Sequence, residues 1–205
     1  MKLHELLIEM PIFKHEVLKD QMHRPFTTDK ALERRFDIVD VGKTQFGDSY
    51  GVFISKRHDF AVIGIPGIRE SDGENGIDVI GTVNFKTPMI NGFGLIDISN
   101  LSQVLQVSLV HVATDQQDRG WAMYLYASLI KAGFIVISDN TQYIGGKELW
   151  KKIARNSLDG KYSVYVIDQG KVRMNGDIPL KYDGINIDDS ELWSENSDKK
   201  YTLFL

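Results

Sequence analysis

The chain of 205 residues contains no cysteine. This absence excludes disulfides, thiolate metal sites and a cysteine nucleophile, and it is typical of a reducing compartment. The five histidines are scattered, and no pair has metal-ligand spacing. No apolar run approaches the ~20 residues of a membrane span, and no signal-peptide core is present. We therefore expect a cytoplasmic protein without a membrane partner.

A block of basic residues is also missing. Twenty-four Lys and Arg stand against 28 Asp and Glu, which gives a formal net charge of -4. Nucleic acid is therefore not expected as a partner. The densest charge lies in residues 183–200 and is mainly acidic, as in a solvated loop.

Two common phosphate-binding motifs are absent. No G-x-G-x-x-G fingerprint occurs. Gly146-Lys147 suggests a P-loop, but Glu148 stands where Ser or Thr belongs, and Thr141 stands where the first glycine belongs. A phosphate site of either kind is excluded.

The hydrophobic pattern predicts a mixed α/β domain. Residues 1–35 favour helix, and residues 65–78 favour a loop because they are rich in Gly, Asp and Asn. Strands are predicted at residues 36–41, 50–56, 60–66, 78–87, 91–100, 105–113, 134–138, 162–168 and 200–205. Helices are predicted from Trp121 to a C-cap at Gly133 and over residues 145–155. The strand–helix–strand order makes 105–113 and 134–138 a parallel pair.

The stretch from Val112 to Gly133 reads as strand end, polar bend and helix. The first amides of a helix have no intrahelical partner and carry the positive end of its dipole. Such a bend is either a plain connection or an anion cradle, and Gly120 favours the cradle because it allows close approach of a phosphate.

The segment Gln117-Asp118-Arg119-Gly120-Trp121-Ala122 resembles the pyrophosphate-binding signature [Q/R]-x-x-G-x-[G/A] of the GNAT superfamily of acetyl-CoA-dependent N-acetyltransferases. Gln117, Gly120 and Ala122 fill its defined positions. Val112 lies five positions before Gln117, as the hydrophobic strand residue of that family does. The resemblance implies that backbone groups around Val112 and Ala113 hold the pantetheine arm, and that the amides of residues 117–122 hold the pyrophosphate.

The resemblance extends to the order of elements. It implies one GNAT-like domain: a mixed, mostly antiparallel sheet with a central parallel strand pair, flanked by helices. Residues 1–35 would be an N-terminal helical segment, 36–168 the core, 169–199 an acidic irregular insertion and 200–205 a closing strand. Acetyl-CoA would be the cosubstrate, and the acceptor a protein lysine, an N-terminus or a small amine. The stretch after residue 137 is similar in style to phage-encoded members, which implies host cytoplasm and a host-protein acceptor.

The catalytic residues depart from the family pattern. Trp150 stands where a family Tyr protonates the departing thiolate, and an indole N–H cannot supply a proton in this way. Tyr143 is the nearest replacement, although a packing role at the helix entrance fits it as well. Gln106 stands where some members carry a Glu base. His111 has a suitable pKa for that base, and a buried, hydrogen-bonded histidine is the alternative.

The sequence leaves two alternatives for Asp118 in the bend. Asp118 either faces solvent or has its charge offset by Arg119.

The sequence also leaves two possible functions. The first function is transfer of an acetyl group to an amine. The second is a GNAT-shaped protein that has lost its chemistry and binds a host or virion protein. The second function is motivated by Trp150, by Gln106, and by residues 1–35 and 169–199, the two segments that resemble the family least.

Overall fold

The computed structural model describes residues 26–69, 71–86, 103–138, 144–156, 162–168, 171–192 and 201–204. The helices in these ranges are α1 (Asp29–Arg35), α2 (Trp121–Lys131), α3 (Ile144–Asn156) and α4 (Asp189–Leu192). The strands are β1 (Phe26–Thr28), β2 (Phe36–Lys43), β3 (Ser49–Ser55), β4 (Phe60–Ile68), β5 (Asn75–Lys86), β6 (Val104–Val112), β7 (Ile135–Ile137), β8 (Val164–Asp168), β9 (Lys171–Val172), β10 (Met174–Asn175), β11 (Ile178–Pro179), β12 (Lys181–Tyr182) and β13 (Tyr201–Phe204).

The protein is a mixed α/β protein with parallel and antiparallel strand pairs. Its chain divides into two compact units. The first comprises Met1–Lys86 and Ser108–Ala132, and the second comprises Thr87–Val107 and Gly133–Leu205. The expectation of a single domain stays a prediction. None of the helices in the described ranges is long and apolar enough to cross a membrane.

The first unit is built on an antiparallel meander. Strands β2, β3, β4 and β5 pair in sequence order, and β1 pairs with β5. At the end of β6, the Ala113 amide donates to the Ile80 carbonyl at 2.8 Å. This bond fixes where β6 ends and the bend begins.

Helix α1 begins at a side-chain cap. The Thr28 Oγ1 accepts from the Ala31 amide at 3.4 Å, Asp29 lies in the first turn, and Arg34 and Arg35 lie in the last. Its single buried residue, Leu32, packs into a core cluster with Phe53, Val62, Ile77 and Val79. Burial of this small helix thus depends on one leucine against the sheet.

Helix α2 contacts β2, β4 and β5. The spacing predicted a buried face of Trp121, Tyr124, Leu125, Ser128, Leu129 and Ala132, but Tyr124 is partly exposed and Ala132 is exposed. The buried residues of α2 are Trp121, Ala122, Leu125, Tyr126, Ser128 and Leu129. Ser128 Oγ donates to Asp40 Oδ2 on β2 at 3.1 Å, and Lys131 Nζ donates to Asp40 Oδ1 at 2.9 Å. A buried serine and a terminal lysine therefore hold the last turns of α2 to β2.

The second unit contains the predicted parallel pair. Val104, Leu105 and Gln106 of β6 lie opposite Ile135, Val136 and Ile137 of β7. Strand β13 pairs antiparallel with β7 and with β8, and β8 also pairs with β9 and β12. Val104, Ile137, Ile167 and Val172 form its core cluster.

Several sequence-based expectations need correction. Residues 26–28 are a strand rather than part of the N-terminal helical segment, although 29–35 are helical. The predicted loop 65–78 is mostly hairpin, because β4 runs to Ile68 and β5 starts at Asn75. Residues 169–199 were expected to be irregular, yet short strands and α4 occupy residues 171–192. The expected strand at 91–100 and residues 1–25 of the expected helical segment lie outside the described residues.

Candidate functional site

The bend after β6 is compact and left-handed at two positions. A 3-10 turn spans Thr114–Gln116, and the Gln116 amide donates to the Ala113 carbonyl at 2.8 Å. Asp118 has φ 67° and Gly120 has φ 80°. Asp tolerates this region better than most residues, and glycine adopts it freely. The bend therefore changes direction sharply just before α2.

Gly120 is required for its conformation rather than for space inside the protein. A Cβ built there would have its nearest neighbour outside the adjoining residues, an atom of the Tyr124 ring, at 3.8 Å. This is an ordinary contact distance, so the positive φ is what favours glycine. The backbone beside it is correspondingly open to a ligand.

The amino end of α2 follows directly. The first intrahelical bond runs from the Tyr124 amide to the Gly120 carbonyl at 3.1 Å. The amides of residues 121–123 precede that bond and have no carbonyl partner in the helix. They carry the positive end of the dipole and so favour an anion.

Gln117 Oε1 and Trp121 Nε1 are buried and have no hydrogen-bond partner among the described residues. Asp48 Oδ2 also lacks a hydrogen bond, although it forms an ion pair with Arg119. The other end of the Gln117 amide group donates from Nε2 to the Val112 carbonyl at 3.4 Å. Trp121 is only 2% exposed. Buried polar groups are normally paired, so the Gln117 and Trp121 groups are exceptions that lie beside the bend.

The Arg119 guanidinium contacts three side chains of the first unit. Its Nη1 donates to Gln116 Oε1 at 3.1 Å, and its Nη2 forms an ion pair with Asp48 Oδ2 at 3.1 Å. The guanidinium carbon lies 5.8 Å from the centroid of the Phe46 ring. Asp118 is an exposed residue, and both alternatives for its carboxylate stay predictions.

The turn between β2 and β3, residues 44–48, was not expected at this site. Besides the Asp48 ion pair, the Gln45 amide donates to Tyr124 Oη at 2.8 Å. The sequence analysis made no prediction for this segment, and its contact with residues more than 70 positions away carries no local signal.

His111 lies on β6 one residue before Val112. It is half-buried, and burial lowers its pKa from the ordinary 6.5. The neutral imidazole, which accepts a proton, is therefore the form present near neutral pH. Val112 and Ala122 are buried, Ala113 is partly exposed, and all of them lie in the first unit.

The remaining residues that the sequence analysis considered for catalysis are Tyr143, Trp150 and Gln106. Tyr143 lies outside the described residues. Trp150, in α3, is 2% exposed and is a buried core residue of the second unit. Gln106 is buried too, and its Nε2 donates to the Ser138 carbonyl at 3.4 Å. Among the described residues no group of His, Asp and Glu is arranged to hold a metal ion.

No protein-family model matches the chain, and a search of the curated proteins gives no match either.

Proposed function

We propose that the protein transfers an acetyl group from acetyl-CoA to a primary amine, and that it has a GNAT-like fold. The observation that carries this proposal is the bend at residues 117–122, which joins a buried strand to a helix through a left-handed glycine. The amides of residues 121–123 would hold the CoA pyrophosphate, because they are unpaired in the helix and sit at its positive end. The backbone of Val112 and Ala113 would guide the pantetheine arm.

The reaction then depends mainly on holding the acceptor amine next to the thioester of acetyl-CoA. The amine nitrogen attacks the thioester carbonyl carbon, the C–S bond breaks, and the CoA sulfur leaves as a thiolate that takes up a proton. Holding a neutral amine next to an activated thioester supplies much of the rate. His111 accepts the proton that the amine loses, because burial keeps its imidazole neutral. Tyr143 is proposed as the donor to the thiolate.

A second candidate function is favoured by Trp150. Its burial and its lack of a hydroxyl leave the usual acid position without an acid. A protein that keeps the CoA fold but binds a host or virion protein instead of turning over would have this feature. The acceptor amine, a phage source and a cytoplasmic location belong to the proposal as well.

Two measurements test the proposal. Calorimetry with CoA and acetyl-CoA should give saturable binding to one site per chain, and no heat at millimolar ligand would contradict it. Release of free thiol in the presence of lysine-containing protein extract then separates the two functions. Since the chain has no cysteine, a thiol reagent reports only on CoA. Binding without thiol release would favour the second function.

Mass spectrometry identifies the acceptor. Candidate proteins incubated with labelled acetyl-CoA should gain the label on a lysine or an N-terminus. The Tyr143→Phe variant should bind acetyl-CoA normally and transfer it more slowly, and unchanged transfer would remove Tyr143 from the mechanism.

A further inference from the structure

The turn at residues 44–48 is built to lie against the bend. Thr44 Oγ1 accepts from the amides of Phe46 and Asp48, both at 3.2 Å, and the Thr44 amide donates to the Asp48 carbonyl at 2.9 Å. Gly47 closes the turn at φ 89°. With Gln45 bonded to Tyr124 and Asp48 paired to Arg119, the turn is held from both ends.

Phe46 stands at the tip of this turn and is 59% exposed. Its ring lies beside the guanidinium of Arg119, whose side chain is 41% exposed and contacts Gln116 and Asp48. An exposed aromatic ring beside an oriented cation suits a ligand that combines a flat base with phosphate. Bases stack on such rings, and guanidinium groups bind phosphate oxygens.

The position of this pair matches one end of the proposed ligand. Arg119 lies two residues before the first free amide of α2, and Trp121, with its unpaired Nε1, begins that helix. A pyrophosphate held on these amides would therefore place the attached nucleoside within reach of the turn. The adenosine 3′-phosphate is the flat, charged part of CoA.

We propose that Phe46 and Arg119 bind the adenine nucleotide end of CoA, with the base stacked on Phe46 and the 3′-phosphate on Arg119. This inference rests on the proposed function. Asp48 then limits affinity, because its carboxylate offsets the Arg119 charge and repels the incoming phosphate. Replacing Asp48 should therefore strengthen binding, a result that damage to the fold would not produce.

The test is calorimetry with acetyl-CoA on four variants. Phe46→Ala should weaken binding by about tenfold, the usual effect of losing one stacked base. Ile68→Ala, which truncates another exposed apolar residue of the same unit, is the matched control and should bind normally. Arg119→Gln should weaken CoA but not dephospho-CoA, which lacks the 3′-phosphate. Asp48→Asn should tighten CoA binding by a few-fold.

The outcomes separate the two proposals. If the wild-type protein binds neither CoA nor acetyl-CoA, the proposed function and this site are both overturned. If the wild type binds but Phe46→Ala binds equally well, or Asp48→Asn weakens binding, the nucleotide site alone is overturned. Unchanged thermal unfolding of Phe46→Ala would show that its effect is not a folding defect.

Discussion

The two ends of helix α2 make an informative comparison. Both are marked by a left-handed glycine, Gly120 at φ 80° and Gly133 at φ 91°. At the carboxyl end, the Ala132 amide donates to the Ser128 carbonyl at 3.0 Å, and Ser128 and Lys131 are tied to Asp40. At the amino end, Gln117 Oε1 and Trp121 Nε1 are buried without a partner among the described residues.

The two ends of α2 differ in their contacts. Contacts at the carboxyl end attach the helix to β2, and the amino end is the one that we propose binds CoA. The same backbone conformation lies beside satisfied contacts at the carboxyl end of α2 and beside buried polar groups without a hydrogen-bond partner among the described residues at the amino end. Glycine is favoured at both positions because each has a positive φ. The presence of a left-handed glycine therefore does not distinguish the end of α2 that we propose as the CoA site from the end that does not bind it.

The largest effect is expected from placing a negative charge at the open end. Gly120→Glu should lower acetyl-CoA affinity by more than about a hundredfold, because the carboxylate competes with the pyrophosphate for the dipole and the free amides. Gly133→Glu carries a similar backbone strain at the other end and should bind normally. Calorimetry on both variants measures the contrast. Equal losses in the two would mean that strain, not the site, is responsible.

At the carboxyl end of α2, a substitution should change the free energy of unfolding rather than the affinity for acetyl-CoA. Asp40→Ala leaves the buried Ser128 hydroxyl without its acceptor, which should lower the free energy of unfolding by about 1–3 kcal/mol. Denaturant unfolding gives the value. Acetyl-CoA affinity of the folded variant should stay at the wild-type level. A drop in affinity comparable to that of Gly120→Glu would erase the distinction between the two ends.

His111 adds a pH dependence on the side of the bend. Burial holds its folded pKa below 6.5, so the unfolded chain takes up a proton first as the pH falls. Its contribution to stability is therefore complete above about pH 6.5 and is lost below it. His111→Gln should show a shallower loss of stability in thermal unfolding between neutral and mildly acidic pH. The same variant should transfer acetyl groups more slowly, and an unchanged rate and pH profile would leave His111 a packing residue.

The smallest effect is expected from Lys131. Its ammonium pairs with Asp40, but the side chain is 73% exposed. Lys131→Gln should change the free energy of unfolding by at most about 1 kcal/mol, as for other exposed pairs. A larger loss on denaturant unfolding would show that the ion pair, rather than the Ser128 hydrogen bond, holds this end of α2.

The sequence predicted α2 well because its signals are local. Apolar spacing on one face, a terminal glycine and a strand on either side are all readable within about twenty residues. The bend at residues 117–122 was located in the same way. The parallel pairing of β6 with β7 followed from the strand–helix–strand order.

The glycines of residues 65–78 misled the prediction. Glycines there were read as loop residues, but Gly76 lies in β5, where a Cβ would meet the Thr27 carbonyl oxygen at 2.2 Å. Gly76 therefore allows β1 to approach, and neither its role nor β1 was visible without knowing that pairing.

Contacts made across long sequence separation were missed for the same reason. Asp40 meets Ser128 from 88 positions away, and the Gln45 amide meets Tyr124 from 79. No local pattern in either segment specifies the other. Phe46 and Asp48 at the candidate site therefore emerge only from the folded chain.

The most direct test of the central claim is amide NMR of the isotope-labelled protein during titration with acetyl-CoA. We predict that the amide signals of Gly120, Trp121, Ala122 and Met123 shift in a saturable way, while those of Ala132 and Gly133 stay in place. Signals that move equally at both ends of α2, or do not move at millimolar acetyl-CoA, would contradict the assignment of the bend as the CoA site.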